Sequence, residues 1–593
     1  MTLHTFIDEL KRRHVFRVAG VYLVASWGLI EAVTGVTELF GYGETPGRTV
    51  ALLAIVGFPI ALTLSWFFDI TRQGIVRTPD AAVAPAMGGQ RVLSARATGM
   101  FGLGMLVALL SIAAISVINE SPHRVATADI TQVRALAVLP FTASASEESA
   151  ETSYADALTE ELIRRLSREA QLEVTARTSS FRFKGSDEPL MEIARQLHVP
   201  ALISGTVRRA GANWVIGLEL IDARTGRVLW SPSSYTVTES EAYQVQDRIA
   251  SDLLAALQLA ATPAAASPGT SNTLAAQLYM RGVDRFNERT DAALRDALDY
   301  FQRATEADAE FALAYAGLAM TYAALPAAGD FEPVEAFTRG MTAASTAIAL
   351  DATLAEAHAA VGQLVQNYDW APAASLHSYE RALQFKPSYA TAHQGYAEAL
   401  MLLGRMDEAR RASEEALKLD PLSPAAMNTS AYLQVVSGEY EAALAALLTE
   451  VSLFPDYRPG HMSLALTARL AGRFPEMRRA LAGYARGDAE LMAAFEAIAD
   501  GIEDPARRPA ARAAVSRVEG RIGSVAALWL AALDDPAGAL ATLQRAFDRH
   551  ADEGFLNLLV HPLLAPLHPD AGFRAIVDDL GVVLPATSSS TSS

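Results

Sequence analysis

Small residues recur at a fixed interval through the second half of this chain. Taking Ala355, Ala390, Pro424 and Arg458 as equivalent first positions, the spacings are 35, 34 and 34 residues. In the unit that opens at Ala390, Ala397 and Leu400 are followed by Gly404, then by Ala409 and Ala416, and Pro421 closes it. The next unit carries Ala431, Gly438, Ala443 and Pro455, and the one after it Ala465 and Gly472. A period of this length predicts stacked helix-turn-helix units. Paired helices touch where side chains are smallest, and the glycine permits the tight turn between them. One such unit cannot bury its own apolar face, so the pattern commits a long run of chain to a single repeating core.

The period and the small-residue positions resemble the tetratricopeptide repeat (TPR). Ala312–Tyr322 and Tyr279–Ala309 open two further units upstream, and Gly523–His550 regains the spacing downstream after it is lost over Met492–Gly520. The closing HPLLAPLHPDAGFRAIVDDLG resembles the segment that caps such arrays. The resemblance implies about seven or eight helical pairs in a right-handed superhelix whose first helices line a concave, partner-binding face. Positions 2, 5, 9 and 12 of three units supply the candidate face: Thr391, Gln394, Glu398 and Met401; Asn428, Tyr432 and Val435, with Ala425; and Met462, Leu466 and Arg469, with Pro459. Amides, a hydroxyl, a tyrosine and methionines suit a peptide with apolar anchors and backbone hydrogen bonds. His358, His393 and His461 all occupy position 4. Neighbouring repeats stack too far apart for these rings to share a zinc ion, so they are expected to pack between helices, with no metal.

Ahead of the repeats the pattern changes. Arg134–Phe141, Leu172–Thr175, Ala201–Val207, Asn213–Ile221 and Arg227–Ser231 read as strands. Tyr154–Leu172, Pro189–Leu197 and Glu241–Leu259 read as helices. The series AVLPF, YADALTEELIRRLSR, LEVTARTSSFRFKG and IARQLHVPALISGTVRRAGANWVIGLELIDARTGRVLW resembles the TolB amino-terminal-like module of bacterial envelope proteins, which often precedes TPR repeats. That resemblance implies a non-catalytic α/β domain. Within it, VTARTSSFRFKG (Val174–Gly185) gathers Arg177, Arg182 and Lys184 with hydroxyls and a glycine, the residue types of an anion-binding loop. No helix follows the lysine directly, so the stretch is expected to be structural. Thr178, Ser179 and Ser180 should bond local backbone, and Phe181 should enter the core.

The first part of the chain holds three apolar stretches near 20 residues long, Val18–Thr37, Thr49–Phe68 and Gly99–Ile118. Lys11, Arg12, Arg13 and Arg17 precede the first, and Arg72, Arg77, Arg91 and Arg96 separate the second from the third. By the positive-inside rule this predicts a multi-pass bacterial inner-membrane protein with its C-terminal domains in the periplasm and Glu31 within a span. The expected class is therefore three transmembrane helices, a small α/β (TolB amino-terminal-like) domain and an all-α TPR superhelix. The divisions are residues 1–16, 17–119, 133–260, 272–583 and a disordered tail at 584–593.

The formal net charge is −18 and there is no cysteine, which argues against nucleic acid as a partner and removes disulfides and thiolate chemistry. No HExxH, GxSxG, Walker A, EF-hand or CxxC pattern occurs, so neither a catalytic site, a cofactor nor a metal is expected. The reading is a membrane-anchored scaffold that binds a protein or peptide, basic or neutral rather than acidic. The alternative is a signalling receptor or subunit whose spans transmit a partner-bound state.

Overall fold

The computed structural model describes residues 130–143, 150–238, 245–259, 269–270, 272–288, 290–325, 333–549 and 555–585, with scattered positions between 19 and 77. Two compact units emerge, Met1–Thr127 and Ala128–Ser593.

In the first unit, described helical positions lie between Ala19 and Glu31, where the Trp27 indole N–H donates to Glu31 Oε2 at 3.2 Å, one turn on. Strands β1 (Phe68–Thr71) and β2 (Gly74–Arg77) form an antiparallel hairpin that pairs Phe68 with Arg77. No helix among the described residues is long and apolar enough to cross a membrane. This overturns both the three-span class and the multi-pass inner-membrane location with periplasmic domains. An apolar run records a tendency to leave water, which a packed interior satisfies as well as a bilayer does. The second stretch moreover ends in a strand at Phe68. Most residues of the three stretches, the 1–16 segment and the residues after 585 lie outside the described ones.

The second unit begins with a small sheet. Strands β3 (Ala135–Val138), β4 (Thr142–Ala143), β5 (Glu173–Val174), β6 (Ala201–Ala210), β7 (Asn213–Asp222), β8 (Val228–Trp230) and β9 (Tyr235–Thr238) make seven strands. Their order is β5-β3-β6-β7-β8, with β4 beside β6 and β9 beside β7. β3 runs parallel to β5 and β6, whereas β6 and β7 form a long antiparallel hairpin from Ala201 opposite Asp222 to Ala210 opposite Asn213. Gly211, at φ +65, turns that hairpin where a side chain would be strained. Helices α1 (Ala150–Leu166), α2 (Arg177–Phe181), α3 (Leu190–Gln196) and α4 (Val245–Ala256) complete the layer. Leu158, Leu162, Ile249 and Leu253 pack with Leu136, Ile203 and Leu218 on one face of the sheet, and Ile193 and Leu197 with Leu139 and Leu202 on the other. Alternation along β7 sends Trp214, Ile216, Leu218 and Leu220 inward, as a half-buried strand requires.

Among the described residues that follow, only helices occur, in pairs: α5 (Thr273–Glu288) with α6 (Asp291–Ala307), α7 (Ala312–Ala324) with α8 (Pro333–Leu350), α9 (Ala355–Leu364) with α10 (Pro372–Phe385), α11 (Ala390–Leu402) with α12 (Met406–Leu419), α13 (Pro424–Val436) with α14 (Tyr440–Leu453), α15 (Arg458–Leu470) with α16 (Phe474–Tyr484), α17 (Ala489–Glu503) with α18 (Arg508–Ile522), and α19 (Val525–Ala532) with α20 (Pro536–Arg549). Short helices α21 (Phe555–Leu559) and α22 (Ala571–Asp579) are the last among the described residues. Ala355, Ala390, Pro424 and Arg458 are each the first residue of a helix, so the periodic array is TPR-like by its own geometry. Its turns use Gly404, Gly438 and Gly472, all at positive φ.

The single spacing of 35 has a physical counterpart. At the end of α9, Val365–Asp369 forms a π-helical turn, which takes up one extra residue. The left-handed turn position that glycine holds in the next three units falls there to Trp370, at φ +52. A bulky side chain in that region is strained.

Candidate functional site

The first-helix face carries a row of polar side chains. Glu398 Oε1 accepts from Thr429 at 2.7 Å and from Gln394 at 3.2 Å, and its Oε2 accepts from Gln366 at 3.1 Å. Asn428 donates to both oxygens of Glu450 at 3.3 Å and accepts from Ser463 at 3.2 Å. Glu450 stands on α14 where Ala416 stands on α12, a position that packing keeps small. Gly460 makes room for it, since a Cβ there would lie 2.4 Å from Glu450 Oε1. Burial pushes the Glu450 carboxyl up to about 8, against the opposing effect of its Asn428 hydrogen bond.

Met401, Val435, Met462 and Leu466 are buried, and Thr391, Gln394, Glu398, Asn428, Tyr432 and Arg469 are half-buried. The structure gathers all ten on successive first helices, but the chain's own segments lie against them. The Tyr432 hydroxyl donates to the backbone carbonyl of Asn557 at 2.5 Å, and its ring lies 5.9 Å from that of His561. Arg469 donates to the carbonyl of Ala532 at 3.5 Å, and the Val583 N–H donates to the carbonyl of Leu402 at 2.8 Å. Trp370, held by its strained turn, stacks on Phe555 at 4.6 Å. Burial, then the charge of Glu398, keeps the Tyr432 phenol protonated by raising its pKa.

The other end of this face meets the sheet layer through the VTARTSSFRFKG stretch. The Ala176 N–H donates to the carbonyl of Leu419 at 2.7 Å. The Ser179 hydroxyl donates to Asp420 and accepts from the Leu422 N–H at 2.8 Å. Arg177 pairs with Glu160 at 2.7 Å and also with Asp284, while Arg182 lies over the Phe454 ring at 4.7 Å. Lys418 reaches back to Glu173 at 2.5 Å. The expectation that Thr178, Ser179 and Ser180 serve only local backbone is corrected in part. The stretch contains helix α2, and Ser179 binds the array. Phe181 is half-buried against the sheet core, and Phe183 is buried on the opposite face.

The position-4 histidines each make one equivalent contact. Nε2 of His358, His393 and His461 donates to the carbonyls of Ala352, Pro387 and Pro455 at 3.0, 2.8 and 2.9 Å, six residues upstream. No group of side chains able to hold a metal occurs among the described residues.

Comparison with known proteins separates the two parts. Residues 131–252 match the family profile of the second domain of HilA/YgeH-like transcriptional regulators. The match covers the sheet layer, and the TolB-like assignment made from its motifs is not shown by it. The chain is similar to a putative adenylate cyclase of Rhizobium meliloti, 30% identical over 189 residues, or 31% of this chain and 32% of that one. It is also similar to the transcriptional regulator HilA of Salmonella typhimurium, 23% identical over 248 residues, or 42% of this chain and 45% of that one. The chain thus spans 32% and 45% of the length of these curated relatives. Among solved structures, a TPR protein of Thermus thermophilus is 19% identical with a TM-score of 0.28, covering 32% of this chain and 98% of its own. PilF of Pseudomonas aeruginosa is 17% identical with a TM-score of 0.28, covering 36% of this chain and 94% of its own. Scores this low carry no argument, and the repeat assignment rests on the 34-residue period and the helical pairs.

Proposed function

We propose that the described unit is a protein-interaction scaffold without catalysis of its own, which takes a peptide segment of a partner along the first-helix face. The supporting observation is the hydrogen bond from Tyr432 to the backbone carbonyl of Asn557. The face already grips a stretch of polypeptide, its own, by a backbone oxygen and by aromatic stacking. A partner segment would use the same donors, with Gln394 and Asn428 as adaptable amides and Met401, Val435, Met462 and Leu466 as the apolar floor. The acidic array favours a basic or neutral segment. Resemblance to a part of a transcriptional regulator and to a part of a putative cyclase supports a regulatory or connecting role rather than either output. The test is a photo-crosslinking residue at position 432 of the full chain in cells, with position 414 as an exposed control. Adducts to a second protein at 432 and not at 414 support the reading. Adducts confined to the chain's own residues 555–567 sink it.

A further inference from the structure

A cavity of about 190 Å³ lies where the sheet layer meets the array. Helix α1 supplies Glu160 and Arg164 to its lining, and the array supplies Tyr279 and Phe286 of α5 and Thr391 of α11. Most of its charged groups are matched. Arg177 pairs with Glu160 at 2.7 Å, Lys386 pairs with Glu356 at 2.8 Å, and Asp420 accepts from Ser179. Arg164 differs. Its Nε and Nη2 engage Glu161, but its Nη1 is buried with no hydrogen-bond partner, on a side chain only 8% exposed. A buried guanidinium donor left unmatched is unfavourable, and an acceptor entering the cavity would relieve it.

We propose that this cavity binds a small organic carboxylate, with Arg164 Nη1 as its anchor and the Tyr279 and Phe286 rings as the wall for its apolar part. The charge of Arg164 is shared with Glu161, and its one unmatched N–H suits a single anionic oxygen. Glu160 and Glu356 also line the cavity and repel any anion, a doubly charged phosphate ester more than a singly charged carboxylate. The Tyr279 and Phe286 rings in the lining favour a carboxylate with an apolar body over a fully hydrated anion. Because α1 and α5 both line the cavity, an occupant touches both the sheet layer and the array and strengthens their contact.

The test uses the full chain with acetate, benzoate, benzamide and inorganic phosphate as probes, read by calorimetric titration and by thermal melting. Benzoate should bind and raise the melting temperature, and benzamide, its neutral isostere, should bind at least tenfold more weakly. Arg164→Gln should weaken benzoate at least tenfold. Thr391→Trp, which adds bulk to the lining from α11 and leaves Arg164 in place, should do the same and covers the case in which Arg164→Gln fails to fold. The proposal is overturned by phosphate binding more tightly than either carboxylate, by benzamide matching benzoate, by no response to either carboxylate at millimolar concentration, or by unchanged affinity in the folded variants.

Discussion

The hydroxyl of Ser179 donates to the carboxylate of Asp420, 241 residues further along the chain, and accepts from the backbone N–H of Leu422 at 2.8 Å. Both side chains are buried, with Ser179 at 0% and Asp420 at 5% exposure. Ser179→Ala therefore leaves a buried carboxylate and a backbone N–H without this partner. Urea denaturation should show a loss of about 1–3 kcal/mol. An unchanged midpoint would mean that the joint is held elsewhere.

Glu450 makes stability depend on pH in the direction opposite to an ordinary paired carboxylate. With its folded value near 8 and its unfolded value near 4.5, the unfolded chain releases the proton first as pH rises. Stability contributed by the protonated form is thus complete below 4.5 and lost progressively up to 8. Glu450→Gln mimics the protonated form. It should match the wild type at pH 4 and exceed it by a few kcal/mol (order of magnitude) at pH 8, by chemical denaturation at the two values.

Gly460 and Glu450 are coupled by space. Gly460→Ala should cost about 1–3 kcal/mol in the wild-type background, because its Cβ would fall 2.4 Å from Glu450 Oε1 within a helix. In a Glu450→Ala background the same change should cost less than about 1 kcal/mol, since alanine is the better helix former. A double-mutant cycle measures the difference, and strict additivity would refute the packing account.

Tyr432→Phe removes the donor to the Asn557 carbonyl while keeping the ring. Amide hydrogen exchange over residues 555–567 should accelerate, with a global loss of about 1 kcal/mol. Equal exchange in both proteins would show that Trp370 stacking alone holds the segment.

His561 is buried and its pKa falls to about 3 through desolvation, from an ordinary 6.5. Its Nδ1 accepts from the Leu563 N–H at 3.2 Å, which requires the neutral ring. The unfolded segment takes up a proton below 6.5, so stability falls as pH drops from 6.5 through 3. His561→Asn keeps an acceptor for Leu563 and should flatten that slope, as read by thermal melts across the window.

Local chemistry was legible in residue order, and contacts between distant segments were not. The helix starts at Ala355, Ala390, Pro424 and Arg458 follow from a small-residue period that each unit repeats for itself. The 35-residue spacing was visible too, yet nothing in composition said that Val365–Asp369 would widen into a π turn or that Trp370 would take the glycine's place. Glu450 was detectable as an acid at an alanine position with Gly460 ten residues on. The joint at Ser179 had no such signal, because its partners lie on a turn far along the chain. The ten candidate face residues were chosen by position alone, and position does not reveal that residues 555–585 of the same chain pack against them. The apolar runs near the N-terminus misled, because hydrophobicity over 20 residues does not specify what surrounds it.

The grip of Tyr432 on Asn557 also sets a threshold for any outside partner. A competitor on the same chain binds intramolecularly, so its effective concentration is fixed by the 125 residues between the two partners and does not fall on dilution. A free segment making the same contacts would be outcompeted at ordinary cellular abundance. A successful partner must therefore bring contacts that the chain's own segment lacks, or arrive when that segment has already been loosened. The array would then respond to a strong or assisted ligand and ignore weak ones, a selectivity that arises from chain connectivity with no added specificity residue.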